Sequence, residues 1–145
     1  MLSVIGLIFV AGWLSDFGKS LPNFRPIAAA ISSNFGYCYA GGGTNCVVDG
    51  DTFWFHGVDI RIADIDAPET HDWHCGYEKA LGDQATERLH ELLNSGPVTL
   101  KSIDRDEDVY GRKLRLVYVN GENVGETLIN EGLAHRYVRG KLPWC

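Results

Sequence analysis

The stretch Val47–Thr70, VVDGDTFWFHGVDIRIADIDAPET, constrains this chain more than any other. Two short apolar runs, Asn45–Val48 and Thr52–Phe55, flank Asp49-Gly50-Asp51, and His56-Gly57 then turns the chain into Val58–Ile65, which alternates before running apolar. Short β-branched and aromatic runs separated by turn residues predict three successive strands, a meander that Pro68 ends. Asp49, Asp51, Asp64 and Asp66 fall on these neighbouring strands. Their mutual repulsion requires something positive among them, and hard oxygen donors suit calcium or magnesium. Neither the spacing nor a closing glutamate matches an EF-hand. Asp49 and Asp64 are expected to cap turns or face solvent, which leaves Asp51 and Asp66. Arg61 and Asp66 are an odd number of positions apart and would face opposite ways on a regular strand. A site that used both side chains would need a bulge or a strand end near Asp64–Asp66.

Tyr77–Asn94 places Leu81, Ala85, Leu89 and Leu92 on one stripe, which predicts a helix stopped by Gly96-Pro97. Val98–Ile103 and Leu114–Val119 read as strands around a charged loop, Asp104–Arg112, whose acidic members are solvated apart from a pairing with Arg105 or Arg112. Asn120-Gly121 is a hairpin-type turn, and Val124–Glu131 a short helix closed by Gly132. The order β-β-β-α-β-β-α predicts an α+β fold: a small closed five-stranded β-barrel of OB type with two helices packed on it.

A length of 145 residues suits one domain with an N-terminal appendage. Leu2–Leu14 is apolar, short for a membrane span but suited to a signal-peptide core. Residues 1–30 are therefore read as a signal peptide or an N-terminal membrane anchor with its linker, and residues 31–145 as the domain. Export to the periplasm or the medium follows, with residues 2–14 as a membrane tether if they are retained. Pro22–Gly43, rich in Ala, Ser and Gly, reads as linker, so regular structure is expected from about Thr44.

Cys38, Cys46, Cys75 and Cys145 include no CxxC pair, which argues against structural zinc. An even count with one cysteine at the end of the chain reads as two disulfides in an oxidising compartment. Of three pairings, Cys38 with Cys46 as a local clip and Cys75 with Cys145 as a staple for the tail is favoured; four free thiols in a cytosolic protein is the alternative. His71, His74 and Cys75 could suit a soft metal, but no fourth ligand is in sight. Trp54 and Trp144 are assigned to packing, and Trp73 is the tryptophan to test for base stacking.

The net charge of −6 argues against a general nucleic-acid coat, because phosphate affinity rests on Lys and Arg. Its distribution is uneven. Ile31–Asp108 carries fifteen carboxylates against five basic side chains, whereas Val109–Cys145 carries six basic against three acidic. A segment that wants a cation thus precedes one that could hold an anion.

Val48-Asp49-Gly50-Asp51-Thr52, then Arg61 with Asp66-Ala67-Pro68-Glu69-Thr70, then Tyr110-Gly111-Arg112, and finally Asn130-Glu131-Gly132-Leu133-Ala134 occur in this order. The set resembles the staphylococcal nuclease (thermonuclease) family over about Asn45–Val138. The resemblance implies a Ca2+ held by Asp51, Asp66 and the main-chain carbonyl of Ala67, where the family's archetype has threonine. It implies Glu69 as general base for the attacking water, Arg61 and Arg112 on the scissile phosphate, Tyr110 beside the bound nucleotide and Tyr137 as a second aromatic. The activity implied is hydrolysis of DNA and RNA, leaving 3′-phosphate ends. Nothing resembles a groove-reading helix, so little sequence preference is expected, and no obligate protein partner beyond a monomer. Two positions depart from the family pattern: Val109 replaces a lysine that would touch phosphate, and the segment after Thr70 is short and carries Cys75, so the loop beside the site should be tethered. Domains of this fold also serve as non-catalytic modules that bind nucleic acid or protein. Such a module has no need of Asp51, Asp66, Glu69, Arg61 and Arg112 together.

Overall fold

Four short strands, β1 (Gly36–Tyr37), β2 (Cys46–Asp49), β3 (Thr52–Phe55) and β4 (Val58–Ile62), lie side by side in the computed structural model, which describes residues 33–39 and 42–145. The signal peptide or anchor expected over residues 1–30, with the apolar run Leu2–Leu14, lies outside the described residues. The meander forms as the alternation predicts: β2 pairs with β3 and β3 with β4, both antiparallel. His56 and Gly57 have φ of 50° and 78°, the left-handed pair that a tight hairpin turn needs.

β4 ends at Ile62. After Ala63 and Asp64, the latter at φ 65°, the chain resumes as β5 (Ile65–Asp66), which leaves the main sheet and pairs with His135–Arg136 near the C-terminus. The break expected between Arg61 and Asp66 is therefore a strand end, and it turns Asp66 toward Arg61.

The helix α1 (Gly76–Asn94) buries Glu78, Gly82, Ala85, Leu89 and Leu93, so the stripe is rotated from the expected one and leaves Leu81 and Leu92 half-buried. Small residues explain the rotation. A Cβ at Gly82 would come within 2.8 Å of the carbonyl oxygens of Pro68 and Glu69, and one at Gly50 within 2.6 Å of the Ala85 side chain. Glycine at both positions lets α1 lie directly on the Asp66–Glu69 backbone.

β6 (Val98–Glu107) and β7 (Lys113–Val119) form a long antiparallel hairpin, followed by β8 (Glu122–Asn123), α2 (Val124–Asn130) and β9 (His135–Arg136). The loop expected from Asp104 is a correction: the strand runs on to Glu107. Asp106 pairs with Lys113 at 2.6 Å and Arg115 at 2.8 Å, and these cross-strand charges sustain the hairpin where apolar alternation fails. β7 also runs parallel to β4, giving the order β1-β2-β3-β4-β7-β6 with β8 on β7.

The α+β class and its two helices stand, but the closed five-stranded barrel is corrected to an open mixed sheet of seven strands plus the β5–β9 ladder. Among the described residues no ladder joins β6 back to β2, whose outer edge is taken by β1 in parallel. The start near Thr44 is also too late. Phe35 is buried, stacks on Phe55 and meets Phe53 edge-on, and its N–H donates to Asn94 Oδ1 at 2.9 Å. A disulfide between Cys38 and Cys46 clips this segment to β2. Beneath it lies the core, built from Val47, Phe53, Ile60, Ile62, Leu89, Leu93, Val117 and Leu128.

Candidate active site

The Asp49-Gly50-Asp51 turn delivers Asp51 to the head of β3. Asp49 Oδ1 accepts the Asp51 amide at 3.1 Å, so Asp49 serves the turn, and Asp64 is exposed at its strand break. Asp51 is buried. Its Oδ1 accepts the Thr52 hydroxyl at 2.9 Å, while Oδ2 accepts the Ala67 amide at 2.8 Å and lies 2.6 Å from an Arg61 guanidinium nitrogen. That nitrogen approaches off its N–H direction, so Arg61 and Asp51 form an ion pair rather than a hydrogen bond.

Asp66 is only 2% exposed, yet its nearest countercharges are distant: Arg61 at 3.5 Å and Lys141 Nζ at 3.6 Å. Burial pushes its carboxyl above the usual carboxylate range, against the pull of Lys141 and Arg61. Asp49 is pushed up in the same way, by burial and by the Asp51 charge. A buried carboxylate so loosely partnered fits a cation, and the all-oxygen donors Asp51, Asp66 and the Ala67 carbonyl suit a hard one. Among the described residues no three His, Cys, Asp or Glu side chains gather into a metal-holding group, so water would complete the coordination. Glu69, half-buried at the end of the Asp-Ala-Pro-Glu segment, meets Lys141 Nζ at 2.5 Å.

Arg112 enters from the β6–β7 turn. Asp108 holds it, accepting Nε at 2.6 Å together with the backbone amides of Tyr110 and Arg112. Burial alone would raise the Asp108 carboxyl, but the Arg112 hydrogen bonds outweigh it and keep the group below the usual range. The other end of the guanidinium points across to Thr52 Oγ1 at 3.5 Å, and its carbon lies 5.4 Å from the Tyr110 ring centre. Arg61, Arg112, Tyr110, Tyr137 and Lys141 line one cavity of about 490 Å³. Tyr110 and Tyr137 are exposed at its rim. Asp51, Asp66, Tyr110, Arg112 and Tyr137 are thus brought together around Arg61 and this cavity, while Glu69 lines the neighbouring one.

Other expected features sort differently. Cys75 is disulfide-bonded to Cys145, which removes the thiolate that a soft metal at His71, His74 and Cys75 would need. Trp144 stacks on His135 with ring centres 3.6 Å apart, Trp54 is half-buried and Trp73 is exposed.

Two residues escape sequence reasoning. Glu78 is 3% exposed under a thin cover. Its carboxylate accepts the His74 amide at 2.6 Å and the Glu69 amide at 3.5 Å, and lies 3.0 Å from His74 Nδ1, tying the loop after Thr70 to the first turn of α1. A glutamate three residues inside a helix start was the available signal. Lys141 was legible only by combining the Cys75–Cys145 pairing with its position four residues from the end.

Hydrogen bonds from the His74 backbone, above all, hold the Glu78 carboxyl below its ordinary range. An acid with a depressed folded pKa stabilises above its unfolded pKa and loses that contribution as pH falls through the folded value. Glu78→Gln is therefore expected to lower stability by roughly 2 kcal/mol at neutral pH, the difference from the parent shrinking below about pH 4. Urea unfolding of both proteins between pH 3 and 7 checks this; parallel curves would refute it.

Fold and site together define a class of small α+β domain in which a buried carboxylate pair lies behind an arginine-lined cleft. Within that class the chain belongs to the family described as staphylococcal nuclease homologue, whose model matches residues 59–142. Over 92 residues it is 45% identical to the SPbeta prophage-derived endonuclease YokF of Bacillus subtilis (strain 168), covering 60% of this chain and 31% of that protein. Endonuclease YncB of the same organism is 40% identical over 92 residues, covering 60% of this chain and 43% of YncB. Micrococcal nuclease of Shigella flexneri is 33% identical over 106 residues, covering 63% of this chain and 55% of its own length. The chain thus spans roughly a third to a half of the length of the curated relatives it matches.

Proposed function

We propose that this protein is a calcium-dependent phosphodiesterase that cuts DNA and RNA with little sequence preference and leaves 3′-phosphate ends. The observation that carries the reading is the convergence of Arg61 and Arg112 on one cavity, with buried Asp51 and Asp66 directly behind Arg61. Relatives that are named endonucleases and a micrococcal nuclease support it.

In this reading Arg61 and Arg112 grip the non-bridging oxygens of the scissile phosphate, where charge builds as water attacks in line. Glu69 accepts a proton from that water. The phosphate stays on the 3′ side as the 5′ oxygen leaves. Asp108 aims Arg112, and Tyr110 and Tyr137 offer ring faces to the flanking bases. Asp51, Asp66 and the Ala67 carbonyl would hold the calcium, which when bound stabilises phosphate charge and makes water more acidic. The two disulfides support export into an oxidising compartment, as a monomer, with residues 1–30 directing it.

Incubation with denatured DNA in calcium should degrade the DNA, and excess chelator should stop degradation. End-group analysis should find 3′-phosphates. Retention of DNA without cleavage in calcium would replace this reading with a non-catalytic nucleic-acid-binding module.

A further inference from the structure

Lys141 belongs to no strand or helix, yet its ammonium reaches two of the carboxylates at the centre of the site: Glu69 Oε1 at 2.5 Å and Asp66 Oδ1 at 3.6 Å. The tail that carries it is fastened on both sides. Upstream, β9 pairs with β5, placing His135 opposite Asp66, and the Tyr137 amide donates to the Asp64 carbonyl at 2.7 Å. Downstream, Trp144 stacks on His135 and Cys145 is bonded to Cys75. Residues 137–145 therefore form a strap across the site. Lys141 stands between the arginine-lined cavity and a second one of about 440 Å³, walled by Asp66, Glu69, Glu78 and Trp144, and it lines both.

The charges make this position consequential. Asp51, Asp66 and Glu69 bring three negative charges, Arg61 and Lys141 two positive ones, and the guanidinium of Arg112 is already paired with Asp108. A divalent cation arriving at Asp66 meets an ammonium within 4 Å of the same carboxylate. Two cations drawn to one carboxylate repel appreciably even with water nearby. A lysine on a free tail would simply swing away. One on a strap closed at both ends stays at high local concentration beside the carboxylates.

We propose that Lys141 is a further residue of this site: a tethered countercharge that competes with the divalent cation for Asp66 and Glu69 and so sets the affinity for it. The inference rests on the calcium reading above. Lys141 raises the cation concentration at which the site fills, and the Cys75–Cys145 bond keeps it in place to do so.

Calorimetric titration of calcium chloride into the full chain tests this without any activity measurement. Lys141 is largely exposed, so Lys141→Gln removes the charge without disturbing the core. That variant is expected to bind calcium about tenfold more tightly than the parent, with Cys75→Ala/Cys145→Ala shifted the same way by less. Equal or weaker calcium affinity in Lys141→Gln overturns the inference and leaves the calcium reading intact. Absence of calcium binding in both the parent and Lys141→Gln overturns the two together.

Discussion

Arg61→Met is expected to lower turnover on denatured DNA by a factor on the order of 10³ and to destabilise the fold by about 3–5 kcal/mol. Arg112→Met should lose comparable turnover and little stability. The difference follows from what each guanidinium leaves behind. Arg61 lies between Asp51 and Asp66, whose side chains are 9% and 3% exposed, so its removal takes away the one guanidinium that neutralises both, leaving Asp51 its two neutral donors and Asp66 only Lys141 at 3.6 Å. Breaking a buried ion pair by deleting one partner costs far more than the pair contributes, because the remaining charge cannot be rehydrated. Asp108, the partner of Arg112, keeps its two backbone amide donors when the side chain is gone. Calcium adds a second discriminator. Bound as proposed, it would supply positive charge to the same carboxylates, and so should restore part of the stability of Arg61→Met and none of its turnover. Thermal unfolding with and without calcium, beside rates on denatured DNA, separates these effects. A fully stable Arg61→Met protein would sink the account of Asp51 and Asp66 as buried carboxylates that depend on Arg61, and retained turnover in both variants would sink the phosphate clamp.

Much of this site was legible because short-range rules governed it. Alternation and turn chemistry placed the strands that carry Asp51, Arg61 and Asp66, the family resemblance singled those side chains out, and the odd spacing of the last two called for the strand break found at Asp64, where φ is 65°. What escaped depends on contacts remote in sequence. A parallel pairing of two residues, β1 on β2, leaves no periodic trace, and the Ala, Ser and Gly around it read as linker although Phe35 is in the core. Asp104–Glu107 looks like a loop by composition because the ion pairs that keep it extended come from Lys113 and Arg115 on the facing strand. Glycines at positions 50 and 82 rotate α1 toward the site loop, a packing effect that hydrophobic spacing alone does not register. Lys141 is the extreme case, a tail residue brought to Glu69 across 72 positions of sequence.

The Cys75–Cys145 bond should be the larger of the two covalent contributions to stability. It closes a loop of 70 residues, for which the chain-entropy account gives about 4 kcal/mol, against about 2.5 kcal/mol for the 8-residue separation of Cys38 and Cys46. Cys75→Ala/Cys145→Ala should therefore lose more stability than Cys38→Ala/Cys46→Ala in urea unfolding of the oxidised proteins. The choice of alanine matters. Cys75 is the N-cap of α1, with the extended backbone a cap requires but no side-chain hydrogen bond to the helix. Serine there would accept a hydrogen bond at its oxygen from an open amide of the first turn and return about 1 kcal/mol, masking part of the loss. A Cys75→Ser/Cys145→Ala protein should accordingly be the more stable of the two staple variants by that amount. Equal losses from the two disulfides would show that the unstapled tail stays docked through β9 and the Trp144–His135 stack, making the bond a fastening on a segment already held.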